Sequence, residues 1–180
     1  MRLVFDTEAD ELLKKATVMH CLCCQDIDTG ARHQFYGDIT VPGHHGSLAL
    51  GVDYVLKADE LVGHNIIEYD LPLITKLFGK VYTGKVIDTL TLSRALYPDR
   101  PMPEGCPHSV LNPVTGRMDR IGPHSIAAWG YRVGEKKVEN HDWRVFTEHM
   151  LQRCIVDVDI NFRVYLALCH EIKENLVCTR

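Results

Sequence analysis

The first apolar run of this chain, Arg2-Leu3-Val4-Phe5-Asp6-Thr7-Glu8, ends in two carboxylates one residue apart. Residues two apart on a strand point to the same face, so Asp6 and Glu8 stand side by side where the strand leaves the core. Adjacent carboxylates repel each other and are costly to strip of water. A divalent cation removes both penalties, and hard oxygen donors of this kind suit Mg²⁺ or Mn²⁺. A strand that simply ends in a polar turn explains the same residues, so the remainder of the chain has to decide.

With 180 residues and 46% hydrophobic content, the chain can bury one core, and a single domain over residues 1–180 is expected. A net charge of −4 excludes a protein that holds a nucleic-acid backbone over many phosphates by basic charge. It leaves room for a short grip on one strand end, because bound metal inverts the local sign. No stretch is apolar for long enough to span a bilayer, and the start Met1-Arg2-Leu3-Val4-Phe5-Asp6 turns acidic too soon for a signal peptide. A soluble, cytoplasmic protein with no membrane partner is expected. Its seven cysteines should then be reduced thiols. His20, Cys21, Cys23 and Cys24 are the densest group, and zinc there would need a second pair such as Cys106-Pro107-His108. They read instead as small hydrophobes on a buried strand, with a bulge or strand end where Cys23 and Cys24 are adjacent.

Three strands open the chain, over 2–8, 16–26 and 32–37, joined as antiparallel hairpins with a turn at Asp28-Thr29-Gly30. His44 and His45 follow Pro42-Gly43 in a loop and read as solvated. Helical spacing then covers 47–57, a short buried strand 60–65, and a helix 69–78 with Pro72 in its first turn. A strand over 85–88 precedes a helix to Leu96 that Asp88 caps. Antiparallel strands followed by strand–helix alternation predict an α/β protein: a mixed central β-sheet, antiparallel first and parallel later, flanked by α-helices. Residues 97–123 hold six of the eight prolines and read as one long Pro/Gly-rich loop near the site, the least ordered part of the chain. Ser125 caps a helix through Trp129 whose end Gly130 and Gly134 mark, and 142–175 forms one long helix or two shorter ones.

Two further acids extend the opening pair. Asp70 sits where a helix opens after a buried strand, and Asp157 interrupts the apolar stretch Cys154-Ile155-Val156-Asp157-Val158. Singly, Asp70 also reads as an N-terminal helix charge and Asp157 as the partner of a buried Arg or Lys.

Together, Asp6-x-Glu8, Asn65-x-x-x-Tyr69-Asp70 and Asp157 resemble the three motifs of the DEDD superfamily of 3′→5′ exonucleases, which share the ribonuclease H-like fold. The flanking residues narrow the resemblance to the proofreading exonuclease domain of phage-type family A DNA polymerases. They are Gly63-His64-Asn65 before Tyr69-Asp70-Leu71-Pro72, Ile87-Asp88-Thr89-Leu90 with Ser93-Arg94, and His124-Ser125-Ile126-x-x-Trp129-Gly130-Tyr131 with Gly134-Glu135-Lys136. The similarity runs from about residue 2 to about residue 170.

The resemblance implies two divalent metal ions, Mg²⁺ or Mn²⁺, and a single-stranded DNA 3′ end as substrate. Asp6, Glu8 and Asp157 would hold the ion that activates water, Asp6 would bridge to the second, and Asp70 would support that one partly through water. Thr7, His64, Asn65 and Arg153 are the candidate substrate contacts, and a polymerase domain or replication proteins the implied partners. The chain departs from the family at one place. The tyrosine branch carries Tyr four residues before the last Asp, and the histidine branch His five before; here those positions are Arg153 and Gln152. Shifting the register to Asp159 offers Ile155 and Cys154, and turns about 200° round the helix. A guanidinium stays protonated and cannot act as a base, but it can bind phosphate or pair with Asp157. The leading expectation is therefore a metal-dependent 3′→5′ exonuclease whose rate Arg153 lowers. A nuclease-fold module that only grips 3′ ends, and an RNA exonuclease, are the alternatives.

Overall fold

The computed structural model describes residues 1–37, 47–112, 116–138, 140 and 142–178. His44 and His45 lie outside them. Strands β1 (Arg2–Ala9), β2 (Met19–Asp26) and β3 (Arg32–Tyr36) form the expected antiparallel hairpins. Helix α1 (Leu48–Val55) leads to β4 (Glu60–Gly63), α2 (Asp70–Phe78), β5 (Lys85–Asp88) and α3 (Thr89–Leu96). The sheet order is β3-β2-β1-β4-β5, with β4 parallel to both β1 and β5. Residues 97–123 are not all loop: β6 (Ser109–Leu111) and β7 (Met118–Arg120) pair as a small antiparallel hairpin. Three residues per strand, all exposed in β7 and half-buried at most in β6, are too few to leave an alternation that a sequence can show. Helix α4 (Ile126–Val133) and one unbroken α5 (Glu148–Cys178) complete the fold. Among the described residues, no helix is long and apolar enough to cross a membrane.

Helices cover both faces of the sheet. Leu3, Phe5, Leu22 and Cys24 pack with α1 and α2 through Val52, Val55, Leu73 and Ile74, whereas Val4, Cys21 and Cys23 pack on Met150, Cys154 and Val158 of α5. This two-sided burial corrects the expectation of a bulge at Cys23–Cys24. The ladder runs regularly through both residues because either face of β2 is core; the register shift falls at Glu8–Ala9 instead.

A second apolar stripe of α5, Val156, Ile160, Val164 and Leu168, packs against Trp129, Leu92 and Leu96 of α4 and α3. Helix α5 is thus sandwiched, and Arg153, Asp157 and Asn161, spaced by four, form a polar ridge between its two apolar stripes. That ridge faces the seam between the sheet and α3.

Asp88 and Ser125 cap where the sequence places them, and Ser47 caps α1 as well; each accepts a backbone N–H of the first helical turn. Gly130 does not end its helix. It lies inside α4, and Gly134, in the left-handed region at φ 76°, is the C-cap. The reason for glycine at 130 is steric, since a Cβ there would stand 2.4 Å from the Glu135 carbonyl oxygen.

The roots of the 97–123 segment also dock away from the acids. Arg100 makes a bidentate pair with Glu171 at 2.9 and 2.7 Å, and Arg132 donates to the Pro101 and Pro123 carbonyls. Glu171 lies about 21 Å along α5 from Asp157.

Because the chain leaving α4 passes directly over Gly130, Gly130→Ala should cost about 1–3 kcal/mol. Urea denaturation of the two proteins reads this, and an unchanged midpoint would mean that residues 135–138 shift freely.

Candidate metal centre

Strand alternation sorts the acids. Leu3 and Phe5 face α2, and Thr7 continues that face: its hydroxyl and its amide donate to Asp70 Oδ1 at 2.5 and 3.1 Å. Val4 faces α5, and Asp6 and Glu8 follow it there. The regular sheet therefore delivers two carboxylates to α5 and anchors a third through the residue between them.

Asp157 on the α5 ridge meets that pair. One carboxylate oxygen each from Asp6, Glu8 and Asp157 lie within 4.8 Å of one another. Asp70, buried and tethered by Thr7, stands outside this trio but acts on Asp6 electrostatically. Burial, then the charges of Asp70, Glu8 and Asp157, hold the Asp6 carboxyl well above its ordinary range, with Lys137 opposing. Burial pushes Glu8 up to about 8 against the pull of Arg153. Asp70 is raised to about 6 by burial, in spite of the Thr7 hydrogen bonds.

Two cations answer these charges. Lys137 Nζ lies 2.7 Å from Asp157 Oδ2. Arg153 Nε donates to Glu8 Oε1 at 2.8 Å and stands 4.0 Å from Asp157 Oδ2. Of the two roles expected for Arg153, phosphate binding or pairing with Asp157, neither describes its closest contact, which is Glu8. The two residues are 145 apart in sequence, so helical spacing alone pointed to Asp157. Arg153 also donates from Nη1 to the Val138 carbonyl at 2.9 Å, and its guanidinium sits 4.9 Å over the Trp143 ring.

His64 and Asn65 form the turn after β4. Asn65 adopts a left-handed φ of 68°, and Asp88 fixes the turn by accepting from the Asn65, Ile67 and Thr91 amides. His64 Nδ1 lies 3.0 Å from Thr89 Oγ1, whose hydroxyl reaches Asn161 Oδ1 at 2.7 Å. Burial lowers His64 to about 4, so its ring is neutral near pH 7. Asp159 is turned away and pairs with Arg32.

Sequence reasoning missed Lys137, Asn161 and Trp143. Asn161 was within reach as the next polar residue four along from Asp157, and a buried lysine partner for Asp157 had been left open. Nothing local marks Trp143 or distinguishes Lys137 from Lys136.

The donors fit a hard divalent cation. Three carboxylates converge, and Asp157 Oδ1 is buried without a hydrogen bond from the described residues. Without metal, the folded protein keeps protons on Asp6, Glu8 and Asp70 after the unfolded chain, near 3.8 for Asp and 4.5 for Glu, has lost them. Native pKa values above the unfolded ones confer stability at low pH that is lost as pH rises through them. The melting temperature in EDTA should therefore fall from pH 5 to pH 8, and Mg²⁺ or Mn²⁺ should oppose the fall most at pH 8. A flat profile in EDTA would show that these carboxylates ionise unhindered.

No family model matches the chain. It is 32% identical to the DNA-directed DNA polymerase of Enterobacteria phage T3 over 191 aligned positions, and 30% identical to that of Escherichia phage T7. Each alignment covers 87% of this chain and 25% of the relative, so the chain spans a quarter of the length of the polymerases it matches. Among solved structures, Brucella melitensis NrnC with bound Mg²⁺ superposes with a TM-score of 0.62 at 16% identity, covering 97% of this chain and 74% of that one. E. coli Exonuclease I in complex with a dT13 oligonucleotide gives 0.57 at 14% identity, covering 99% of this chain and 42% of that one. Sheet, flanking helices and superposed structures agree that the fold is ribonuclease H-like, and in sequence the chain is similar to a quarter of the length of the phage T3 and T7 DNA polymerases.

Proposed function

We propose that the chain is a metal-dependent 3′→5′ exonuclease that hydrolyses phosphodiester bonds at the 3′ end of single-stranded DNA, as proofreading requires. The observation that carries this reading is the convergence of Asp6, Glu8 and Asp157 within 4.8 Å, together with a buried Asp157 oxygen that has no partner among the described residues. Two divalent cations, Mg²⁺ or Mn²⁺, supply when bound an activated water, charge neutralisation and a stabilised leaving oxygen. Asp6, Glu8 and Asp157 would hold the first and Asp6 would serve the second as well, with Asp70, held by Thr7, in support. The Asp88-clamped turn presents His64 and Asn65 to the terminal nucleotide. The complex of Exonuclease I with dT13 supports a single-stranded DNA substrate, and the length of the T3 and T7 relatives supports a polymerase domain or replication proteins as partners.

A second reading has an observation of its own. Arg153 on Glu8 and Lys137 on Asp157 hold two of the three convergent acids, as a module that grips 3′ ends and cleaves slowly would tolerate. Incubation of 5′-labelled single-stranded DNA and RNA with Mg²⁺, Mn²⁺ or EDTA separates these functions. A ladder shortening from the DNA 3′ end with metal, absent in EDTA and in Asp6→Ala and Asp157→Ala, is expected. Shortening of RNA alone, or binding without shortening, would replace the DNA exonuclease reading. Cleavage by both variants at the wild-type rate would remove the metal centre itself.

Arg153 competes with metal for Glu8 and lacks the neutral hydroxyl of a tyrosine. Arg153→Tyr should then raise the single-turnover rate by about tenfold or more, the scale of a positioned proton-handling group. An unchanged or lower rate would make Arg153 a working part of this site.

A further inference from the structure

Lys137 is the cation at this site that local sequence does not explain, and its setting is built. Gly130 lets the chain turn back under Gly134, and the Glu135 amide donates to the Gly130 carbonyl. Arg163 pairs with Glu135 at 3.5 Å, and Arg153 holds the Val138 carbonyl. The backbone is thus pinned on either side of residues 136 and 137. Lys136 lies in solvent, its ammonium 5.9 Å over the Tyr131 ring. Lys137 turns inward with its side chain 16% exposed, and its charge acts on Asp6, Glu8 and His64 as well as on Asp157.

The two cations of the site are held differently. Arg153 is fixed by Glu8, the Val138 carbonyl and the Trp143 face. Among the described residues, the ammonium of Lys137 has one close partner, Oδ2 of Asp157, the carboxylate whose other oxygen, Oδ1, is left for the divalent ion. A divalent cation on Oδ1 and an ammonium on Oδ2 of one carboxylate stand close enough to repel strongly in a buried site, and the cation drains the charge that holds the ammonium. A lysine stem has four rotatable carbons, and the nearest anion that arrives with the metal is the substrate phosphate.

Resting on the metal-dependent reading above, we propose that Lys137 is a further catalytic residue: an ammonium stored on Asp157 in the free protein and transferred to the scissile phosphate when metal and a 3′ end bind. The pairing with Asp157 neutralises a buried carboxylate until the ion arrives. Metal binding then releases a donor beside the phosphate that has to be cleaved.

The test uses Lys137→Met, Lys137→Arg and, for loss of a neighbouring surface charge, Lys136→Met. Calorimetry with Mn²⁺ alone should show tighter binding to Lys137→Met than to wild type, by about tenfold, since a competitor for Asp157 is gone. Affinity for a short single-stranded DNA in Ca²⁺ should fall by about tenfold and the single-turnover rate by at least as much, as for loss of one buried phosphate contact. Lys137→Arg should recover most of the affinity for DNA, and Lys136→Met should match wild type in all three. If Lys137→Met melts early, Lys137→Gln, whose amide still donates to Asp157, takes its place. Unchanged affinity for both Mn²⁺ and DNA in the folded variant would make Lys137 a structural ion pair and overturn the proposal. Failure of wild type itself to bind Mn²⁺ or to cleave would instead remove the reading on which it rests.

Discussion

Mutual repulsion among Asp6, Glu8 and Asp157 is the constraint to which this fold is fitted. The faces of β1 and α5 that carry these carboxylates otherwise meet through apolar side chains, Val4 on Met150, Cys154 and Val158, so docking the sheet on α5 brings the three together. Protons, cations or a metal must then supply the missing positive charge. In the free protein the first two do so: burial keeps Glu8 and Asp70 protonated to unusually high pH, and Lys137 and Arg153 neutralise much of what remains. Removing one partner of a buried pair of this kind typically costs about 3–5 kcal/mol, because the other charge is left in low dielectric. The site can therefore remain closed without metal.

The same alternation that creates the conflict also organises it. On β1, Thr7 sits between two acids and points the other way, where it takes hold of Asp70 at the start of α2. One strand thus addresses acids from helices on opposite sides of the sheet. Behind α5 the ridge continues through Asn161 to Thr89 and His64, tying the turn after β4 to the helix that carries Asp157. The Trp129 indole donates to Ser93, beside His124, and Arg100 lies 4.6 Å over the same ring. That second polar cluster holds the roots of the Pro-rich segment toward the far end of α5, away from the acids.

What the sequence made legible follows from the range of the forces involved. Period-two and period-3.6 patterns, Ser125 and Asp88 as caps, and Asp6-x-Glu8 on a strand are local, and the structure has each of them. Asp157 was visible because an acid in an apolar helix needs a partner. The identity of that partner was not, since Lys137 comes from a segment that is irregular in the structure and is placed by Gly130, which read as a helix end. For Arg153 the sequence offers a phosphate or the acid one turn along its own helix, whereas the closest acid belongs to β1. The β6–β7 hairpin escaped because it buries little. Errors therefore gather where a residue's role is set by contacts distant in sequence.

The arginine at the position of the family's tyrosine has surroundings that suit a guanidinium. Trp143 offers a ring face, the Val138 carbonyl accepts Nη1, and Glu8 accepts Nε, while His20 Nε2 lies 2.9 Å from the Trp143 carbonyl and fixes that residue from β2. A phenol could satisfy at most one of these partners, since it has a single donor and no charge. The substitution therefore reaches beyond one side chain to the 135–138 segment, which Arg153 ties to α5 and β1 through the Val138 carbonyl and Glu8. Because that segment also carries Lys137, the two cations are mechanically linked: releasing Arg153 loosens the backbone that aims Lys137 at Asp157. Metal entering this site has to compete with an anchored guanidinium at Glu8 and a tethered ammonium at Asp157. Of the two cations the ammonium would give way first, because one contact is easier to break than three.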